Sequence, residues 1–205
     1  VMRVIIGTTL SMFLNVITAY PLSHSGRELK GRNALMWIFV IPMLFSGGLV
    51  PTYLLYYNMG LLDTFLVLIL PMGVQVMNVI LMVNYFKGLP KSLQESAKLD
   101  GASHWIILFR IYLPLSTASI ATLSLFCAVG HWNSWFDGQI YIDNQSLMPL
   151  QSLLKSLMNQ LSGTTGKLLT ISDVQQLAYI NDRSLLCAQI FVATLPILLV
   201  YPFVQ

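Results

Sequence analysis

Long apolar runs separated by short polar segments are the main pattern along this chain. Five runs are about as long as a helix that crosses a membrane, which takes roughly 20 residues: about 4–22, 34–57, 62–86, 105–130 and 185–205. Each is continuously apolar and longer than the roughly 9–11 residues of a membrane barrel strand. The pattern therefore predicts an all-α, polytopic transmembrane helical bundle, in which internal prolines kink helices without abolishing them.

Composition narrows the class of protein further. Hydrophobic residues occupy 56% of the 205 positions and charged residues only 9%, against roughly 25% charged residues in soluble domains. This excludes an ordinary soluble enzyme and a disordered protein. The 11 Lys and Arg are spread along the chain rather than gathered in a patch, so membrane lipid is an expected partner and nucleic acid is not.

Basic residues predict the orientation, because positive charge marks the cytoplasmic side of a membrane protein. They are concentrated in loops 23–33 and 87–104, whereas the turn at 58–63 has none and the loop 131–184 is net acidic. The first two loops are therefore predicted to be cytoplasmic, and 131–184 to be extracytoplasmic. The first run then crosses inwards, which predicts an earlier span and a six-span protein of which this chain is a fragment, truncated at both ends.

The segment 87–114 predicts two helices that meet at a sharp corner. Pro90 suits the first turn of a short helix, Gly101 can take the left-handed conformation after it, and Ser103 is a good N-cap for the next helix. The predicted apolar stripe of the short helix is Leu89, Leu93 and Ala97, and its polar faces hold Lys91, Gln94, Glu95 and Lys98. Such a helix either rests on lipid headgroups or docks into a partner protein.

The spacing across this corner resembles a known motif. Glu95-Ser96-Ala97, three residues, Gly101, nine residues and then Ile111-Tyr112-Leu113-Pro114 is similar to the EAA loop of binding-protein-dependent ABC transporter permeases, with Ser96 where the family usually has Ala. Further likeness lies in segments 50–55, 60–64, 84–90 and 130–136. The chain resembles the carbohydrate-uptake permeases of the maltose-type second permease, and within them the aldouronate and complex-oligosaccharide branch, over spans two to six.

The resemblance implies a type I ABC importer permease fold in a multi-pass protein of the bacterial cytoplasmic membrane that imports a sugar or oligosaccharide. In such permeases the short helix enters a cleft of a separate ATPase. The ATPase-coupling residues that carry over are Glu95, Ser96, Ala97, Gly101 and Pro114. The implied partners are a second homologous permease, two ATPase subunits and an extracytoplasmic solute-binding protein. The chain would then be no enzyme and bind no cofactor, since ATP and Mg²⁺ belong to the ATPase.

Amides and aromatic residues in the runs leave two interpretations open. Gln75 and Asn78 are three residues apart and share a helix face, where they either make interhelical hydrogen bonds or line a possible substrate path. Aromatic residues at the predicted outer ends form either an interfacial belt or a sugar platform. They are Tyr53, Tyr56, Tyr57, Trp132 and Trp135.

Two further features bear on function. An ion-coupled secondary transporter is the alternative, but it would need charged groups within the spans, where this chain has only Asp63 and Arg110 near the ends of runs. In the extracytoplasmic loop, apolar residues at helical spacing predict a helix from Pro149, followed by a turn at 159–165. That helix either packs on the membrane surface or on the protein's own spans or, as the resemblance implies, meets the extracytoplasmic binding protein.

Overall fold

The structure of this chain, a computed structural model, describes residues 1–25, 28–164, 187, 190–192, 194, 195 and 198. Within that part the chain is helical and contains no strand, which confirms the predicted all-α class. The helices are α1 (Met2–Ser23), α2 (Arg32–Leu44), α3 (Leu49–Asn58), α4 (Val76–Gly88), α5 (Lys91–Leu99), α6 (His104–Ile107), α7 (Leu113–Leu115), α8 (Thr117–Asn133), α9 (Phe136–Tyr141) and α10 (Leu150–Thr164). The predicted span 185–205 lies largely outside the described residues.

Helix α1 is the centre of the bundle. It is 22 residues long and is the one described helix that is long and apolar enough by itself to cross a membrane. It packs along α4 and α8, and its small residue Ala19 is fully buried among larger side chains of those helices. The core beside it includes Val79, Met82, Val83, Phe86, Leu123 and Cys127. Because lipid tails are as apolar as these side chains, close van der Waals packing between the three helices, rather than hydrophobic burial, holds these runs together.

The other three described runs are broken, so none of them is one straight helix. The run 34–57 is divided into α2 and α3, which are bent by 116° at a break where Gly48 has a φ of +83°. The run 62–86 begins with two short 3₁₀ turns, Phe65–Leu68 and Leu70–Met72, and bends by 45° into α4. When each bent pair is counted as one span, up to four described segments are long and apolar enough to cross a membrane.

The break in the run 105–130 has an identifiable cause. After α6 the chain makes one π-helical turn, Leu108–Tyr112, then α7, and bends by 84° into α8 at Ser116. Pro114 lies two residues before this bend and offers no backbone N–H to the preceding turn. A wide turn and a proline within one segment weaken the helical ladder there, so the bend exceeds a simple proline kink.

Contacts at the two ends of α1 place the two predicted kinds of loop at opposite ends of this helix, and the side of the membrane on which each lies stays a prediction. At its first turn, buried Arg3 forms an ion pair with Asp137 and donates a hydrogen bond to the carbonyl of Ser134 at 3.0 Å. At its last turn, the Tyr20 hydroxyl lies 3.2 Å from Nδ1 of His104. The residues that meet Arg3 belong to the predicted extracytoplasmic loop, and His104 belongs to the predicted cytoplasmic loop.

Residues that follow α8 in the sequence pack together with Asp63 and with α3 at the Arg3 end of the bundle, and we call this group the layer beyond α8. Asp63, with a φ of +54°, donates its N–H to the Tyr141 carbonyl at 2.9 Å, and its Oδ1 accepts from the N–H groups of Asp143 and Asn144. Ser152 of α10 donates to the carbonyl of Trp135 at 2.6 Å. The predicted helix after Pro149 is confirmed, but the turn predicted to begin at 159 is wrong, because α10 continues to Thr164.

Candidate functional site

The short helix α5 forms as the sequence predicts, between a proline and a glycine. It begins directly after Pro90, which has an extended ψ of 121° and a φ of −60°. It ends where Gly101 takes a φ of +77°, and the following Ala102 N–H bonds back to the Ala97 carbonyl at 2.9 Å. Such a 6→1 bond closes a helix whose next residue is left-handed, a conformation that glycine adopts without strain.

The helix after the corner also starts as predicted. The side-chain oxygen of Ser103 accepts a hydrogen bond from the N–H of Ile106 at 3.4 Å and caps α6. From there the chain continues through the π-helical turn to Pro114. The structure therefore brings Glu95, Ser96, Ala97 and Gly101 together at one corner, and it places Pro114 near the 84° bend instead.

Helix α5 presents most of its side chains outwards. Glu95 and Ser96 are exposed, whereas Ala97 is half-buried and packs against the core. Leu93 is 42% exposed and Leu99 is 89% exposed. The outward side of α5 therefore combines a carboxylate, a hydroxyl and two uncovered leucines, and its role in docking an ATPase stays a prediction.

The apolar stripe predicted for α5 is exposed at Leu93, whereas the neighbouring Gln94, predicted for a polar face, is buried at 8% exposure. The reason is a partner 18 residues further on: the hydroxyl of Tyr112 donates a hydrogen bond to Oε1 of Gln94 at 2.9 Å. This hydrogen bond holds the Gln94 side chain against the protein, and the hydrophobic pattern gives no signal for it.

A second contact ties α5 to the loop that follows α1. Lys98 Nζ donates to Glu28 Oε1 at 2.6 Å, and both side chains are partly exposed. The hydrogen bond from Lys98, together with its charge, lowers the pKa of Glu28 below its usual value, against a smaller opposing effect of burial. Nearby, burial and then the charge of Arg32 lower the pKa of Lys87.

Beneath α5 lies a group of rings that we call the aromatic cluster: Tyr20, His24, Phe86, His104 and Tyr112. Tyr112 is its centre, with ring centroids 5.2 Å from Tyr20 and 5.3 Å from Phe86, both edge-on, and 6.5 Å from the stacked ring of His24. Edge-to-face rings at such distances attract each other beyond their buried area. The cluster thereby joins α1, α4 and the π-helical turn directly below α5.

Comparison with known sequences decides what kind of protein has this corner. The chain matches the family described as binding-protein-dependent transport system inner membrane component over residues 7–205. It belongs to that family. The predicted resemblance is therefore confirmed, together with the all-α fold of an ABC importer permease.

Individual relatives within the permease family point the same way. The chain is 44% identical over 203 residues to protein LplC of Bacillus subtilis strain 168, covering 98% of this chain and 66% of LplC. It is 43% identical over 201 residues to the polygalacturonan/rhamnogalacturonan transport system permease protein YtcP of the same organism, covering 98% of this chain and 68% of YtcP. The chain thus spans about two thirds of the length of these curated relatives.

A solved structure shows the same architecture. It is the crystal structure of a bacterial ABC transporter involved in the import of the acidic polysaccharide alginate. The match has a TM-score of 0.85 at 29% identity and covers 100% of this chain and 71% of the solved chain. Agreement over the whole chain means that the broken helices belong to the fold of a permease of this kind.

Gln75 and Asn78, the residues predicted for a substrate path, are adjacent in this permease fold. Asn78 is buried at 4% exposure, and its Nδ2 donates to Oε1 of Gln75 at 2.7 Å and to Sγ of Cys127 on α8 at 3.3 Å. The contact with Cys127 is an interhelical hydrogen bond, as in the first interpretation, whereas the bond between Asn78 and Gln75 is local to the start of α4. Gln75 itself is only half-buried at the start of α4, and its place on a substrate path stays a prediction.

Three of the five predicted outer aromatic residues fall into two groups, and Tyr57 is 65% exposed. Tyr53 and Tyr56 pack on Tyr141, with ring centroids 6.2 Å and 5.1 Å away. Trp135 is 39% exposed, and Lys155 of α10 places its Nζ 5.5 Å from the centre of the indole ring. The first group packs within the layer beyond α8, and the second presents a cation on an aromatic face at the surface.

Proposed function

We propose that this chain is the permease subunit of an ATP-driven ABC importer that moves a sugar or oligosaccharide across the bacterial cytoplasmic membrane, which it spans several times. The observation that supports this most directly is the corner at α5. A rigid helix with exposed Glu95 and Ser96 is held at a left-handed Gly101 beside the bundle, on the side where basic residues gather. Family membership supports the ATP-driven reading over an ion-coupled transporter.

The proposed partners follow from the shape and chemistry of this surface. Helix α5 enters a cleft of an ATPase subunit, which supplies ATP and Mg²⁺, and a second homologous permease brings a second ATPase. Leu93 and Leu99 lose their exposed area in that cleft, and Glu95 accepts hydrogen bonds from N–H or basic groups there. An extracytoplasmic solute-binding protein delivers the substrate to the opposite end, where α10 presents its outer face.

The substrate class is proposed from relatives. YtcP is named for polygalacturonan and rhamnogalacturonan, and the solved transporter for alginate, which is an acidic polysaccharide. Short uronic-acid oligosaccharides are therefore the first probes. Digests of polygalacturonan and alginate serve as acidic probes, and maltotriose serves as the neutral one.

Gly101→Val in the full-length permease, reconstituted with its partner subunits in vesicles, tests the coupling role of this corner. An added side chain meets no atom within 4 Å, but the φ of +77° strains most residues other than glycine, valine among them. That strain is about 1–2 kcal/mol for an ordinary residue and larger for a β-branched one, so α5 leaves its position. We expect probe uptake to fall at least tenfold, while membrane insertion and basal ATP hydrolysis persist.

Two matched variants make this result interpretable. Gly101→Asn tolerates a left-handed backbone and should keep most of the uptake. Gly88→Ala changes a helical glycine that also has open space around it but has no positive φ, and it should transport normally. Uptake by Gly101→Val at the rate of Gly88→Ala would remove the coupling role from this corner.

A further inference from the structure

A buried hydrogen bond fastens α5 to the bundle. Its two partners, Gln94 and Tyr112, are exposed by only 8% and 7%, and the hydroxyl of Tyr112 lies 2.9 Å from Oε1 of Gln94. A bond between buried partners is not easily replaced by water, and it is directional in the low dielectric of the interior. The Lys98–Glu28 contact on the same helix is partly exposed, so solvent and salt weaken it.

The burial of Gln94 costs folding free energy. Its Nε2 is buried and has no hydrogen-bond partner among the described residues. A buried amide group that is left unpaired opposes folding, and an apolar residue of the same length would avoid that cost. Stability alone therefore does not account for Gln94, whereas the bond made by its oxygen joins two elements that otherwise meet only at a corner.

The short chain segment that connects α5 to α6 bends easily. It runs through residues 100–103, where Gly101 has a left-handed backbone and open space around its Cα. A glycine corner permits α5 to rotate relative to α6. The hydrogen bond that Tyr112 donates to Gln94 spans this corner and holds α5 in a fixed orientation relative to the π-helical turn.

Tyr112 is also well placed to pass a movement onwards. It ends the π-helical turn, and its ring touches Tyr20 of α1 and Phe86 of α4. π-Helical turns are rare and occur frequently at functional sites. A displacement of Gln94 therefore reaches the central helix, α4 and the segment that bends into α8 through a single side chain.

We propose that Gln94 and Tyr112 are positioning residues, which brace α5 against the π-helical turn and carry its movement into α1, α4 and α8. This inference rests on the proposed function, because it requires α5 to be moved by an ATPase. The brace makes α5 and the π-helical turn move together when nucleotide binds. Without it, α5 pivots at Gly101, and the bundle follows only in part.

Hydrogen–deuterium exchange on the full transporter, purified with its partner subunits, tests the brace without knowledge of the substrate. Exchange is followed in α5 and in residues 104–133, with no nucleotide and with ATP plus vanadate. The variants are Tyr112→Phe, Gln94→Met and the double variant. Tyr85→Phe is the matched control, because the Tyr85 hydroxyl donates to the Leu115 carbonyl on an exposed surface away from α5.

The expected result has two parts. Loss of this hydrogen bond speeds exchange in α5 by about fivefold in Tyr112→Phe, and the double variant exchanges no faster than that single variant, because both residues act through one bond. The nucleotide-dependent change in residues 104–133 falls to less than half of the wild-type change in each single variant. Tyr85→Phe matches wild type in both measurements, and the ATPase stays bound in every variant.

The outcomes separate this inference from the proposed function. If wild type shows no change in residues 104–133 with ATP and vanadate, the proposed function fails. If wild type and Tyr112→Phe show the same change, the brace is refuted and the proposed function stands. Faster exchange in α5 with an undiminished nucleotide response also refutes the brace, since it leaves Gln94 and Tyr112 with only a structural role.

Discussion

Gly7 of α1 lies so close to His131 of α8 that a single added methyl group should strongly lower the stability of the protein. A Cβ added at Gly7 would lie 2.6 Å from Cε1 and 2.7 Å from Nε2 of His131. Ordinary contact begins at 3.4 Å, so the ring would have to move about 0.8 Å away. His131 is only 1% exposed, and its Nε2 is 3.3 Å from the Ser11 hydroxyl, so it has little room to move.

The size of the effect follows from two opposing terms. Ala in place of Gly within a helix is favourable by about 1 kcal/mol, whereas overpacking a tight core costs about 1–3 kcal/mol, or more where nothing can yield. Because the clash involves a buried ring against a helix backbone, the upper part of that range applies. Gly7→Ala should therefore destabilise the permease by about 1–2 kcal/mol, roughly a tenfold change in the unfolding equilibrium.

The assay is unfolding of the purified full-length permease by sodium dodecyl sulfate in mixed micelles, followed by tryptophan fluorescence. Gly130→Ala lies one residue from His131 and places its Cβ 3.4 Å from the nearest atom, at ordinary contact distance, so it should be tolerated. Gly88→Ala meets nothing within 4 Å and should be neutral or slightly stabilising. Equal stability of Gly7→Ala and Gly88→Ala would refute the close packing of α1 on α8.

Two further predictions concern the contacts at either end of α1. Lys98→Gln should speed exchange of the amides near Glu28 by at most about fivefold, because the pair is partly exposed. The pKa of Glu28 is lowered by this pair, so the contribution of the pair is present above the usual pKa of Glu and disappears as the pH falls through the lowered value. A difference between wild type and Lys98→Gln that does not shrink as the pH is lowered below the usual pKa of Glu would contradict this. Asp63→Ala removes two hydrogen bonds at a φ of +54° and should destabilise the layer beyond α8 by about 2 kcal/mol. Asp63→Asn keeps the acceptor and the backbone tolerance and should lie close to wild type in the same detergent assay.

Local signals explain what the sequence predicts well. The end of α5 at Gly101 and the start of α6 at Ser103 depend on residues within one helical turn, so the sequence alone places them correctly. The same holds for the start of α10 after Pro149. The class of the fold follows from the length of the apolar runs, because backbone groups in lipid must be paired within helices.

Long-range contacts explain what the sequence does not predict. The burial of Gln94 in place of Leu93 requires Tyr112, which is far away along the chain but adjacent in space. The 116° break between α2 and α3 is equally hidden, because the run 34–57 stays apolar through it. The Gly47-Gly48 pair was a signal for that break, and Gly48 does take a positive φ there.

The ion pair at the first turn of α1 constrains the order in which the protein is assembled. Arg3 finds its two oxygen partners, Ser134 and Asp137, more than 130 residues later in the chain. At a synthesis rate of about 5–20 residues per second, α1 waits on the order of ten seconds for them. A buried guanidinium cannot shed its charge in the meantime. Helix α1 is thus made first among the described helices, but the contacts of its first turn form among the last. Until then Arg3 needs water, lipid headgroups or a chaperone of membrane insertion around it.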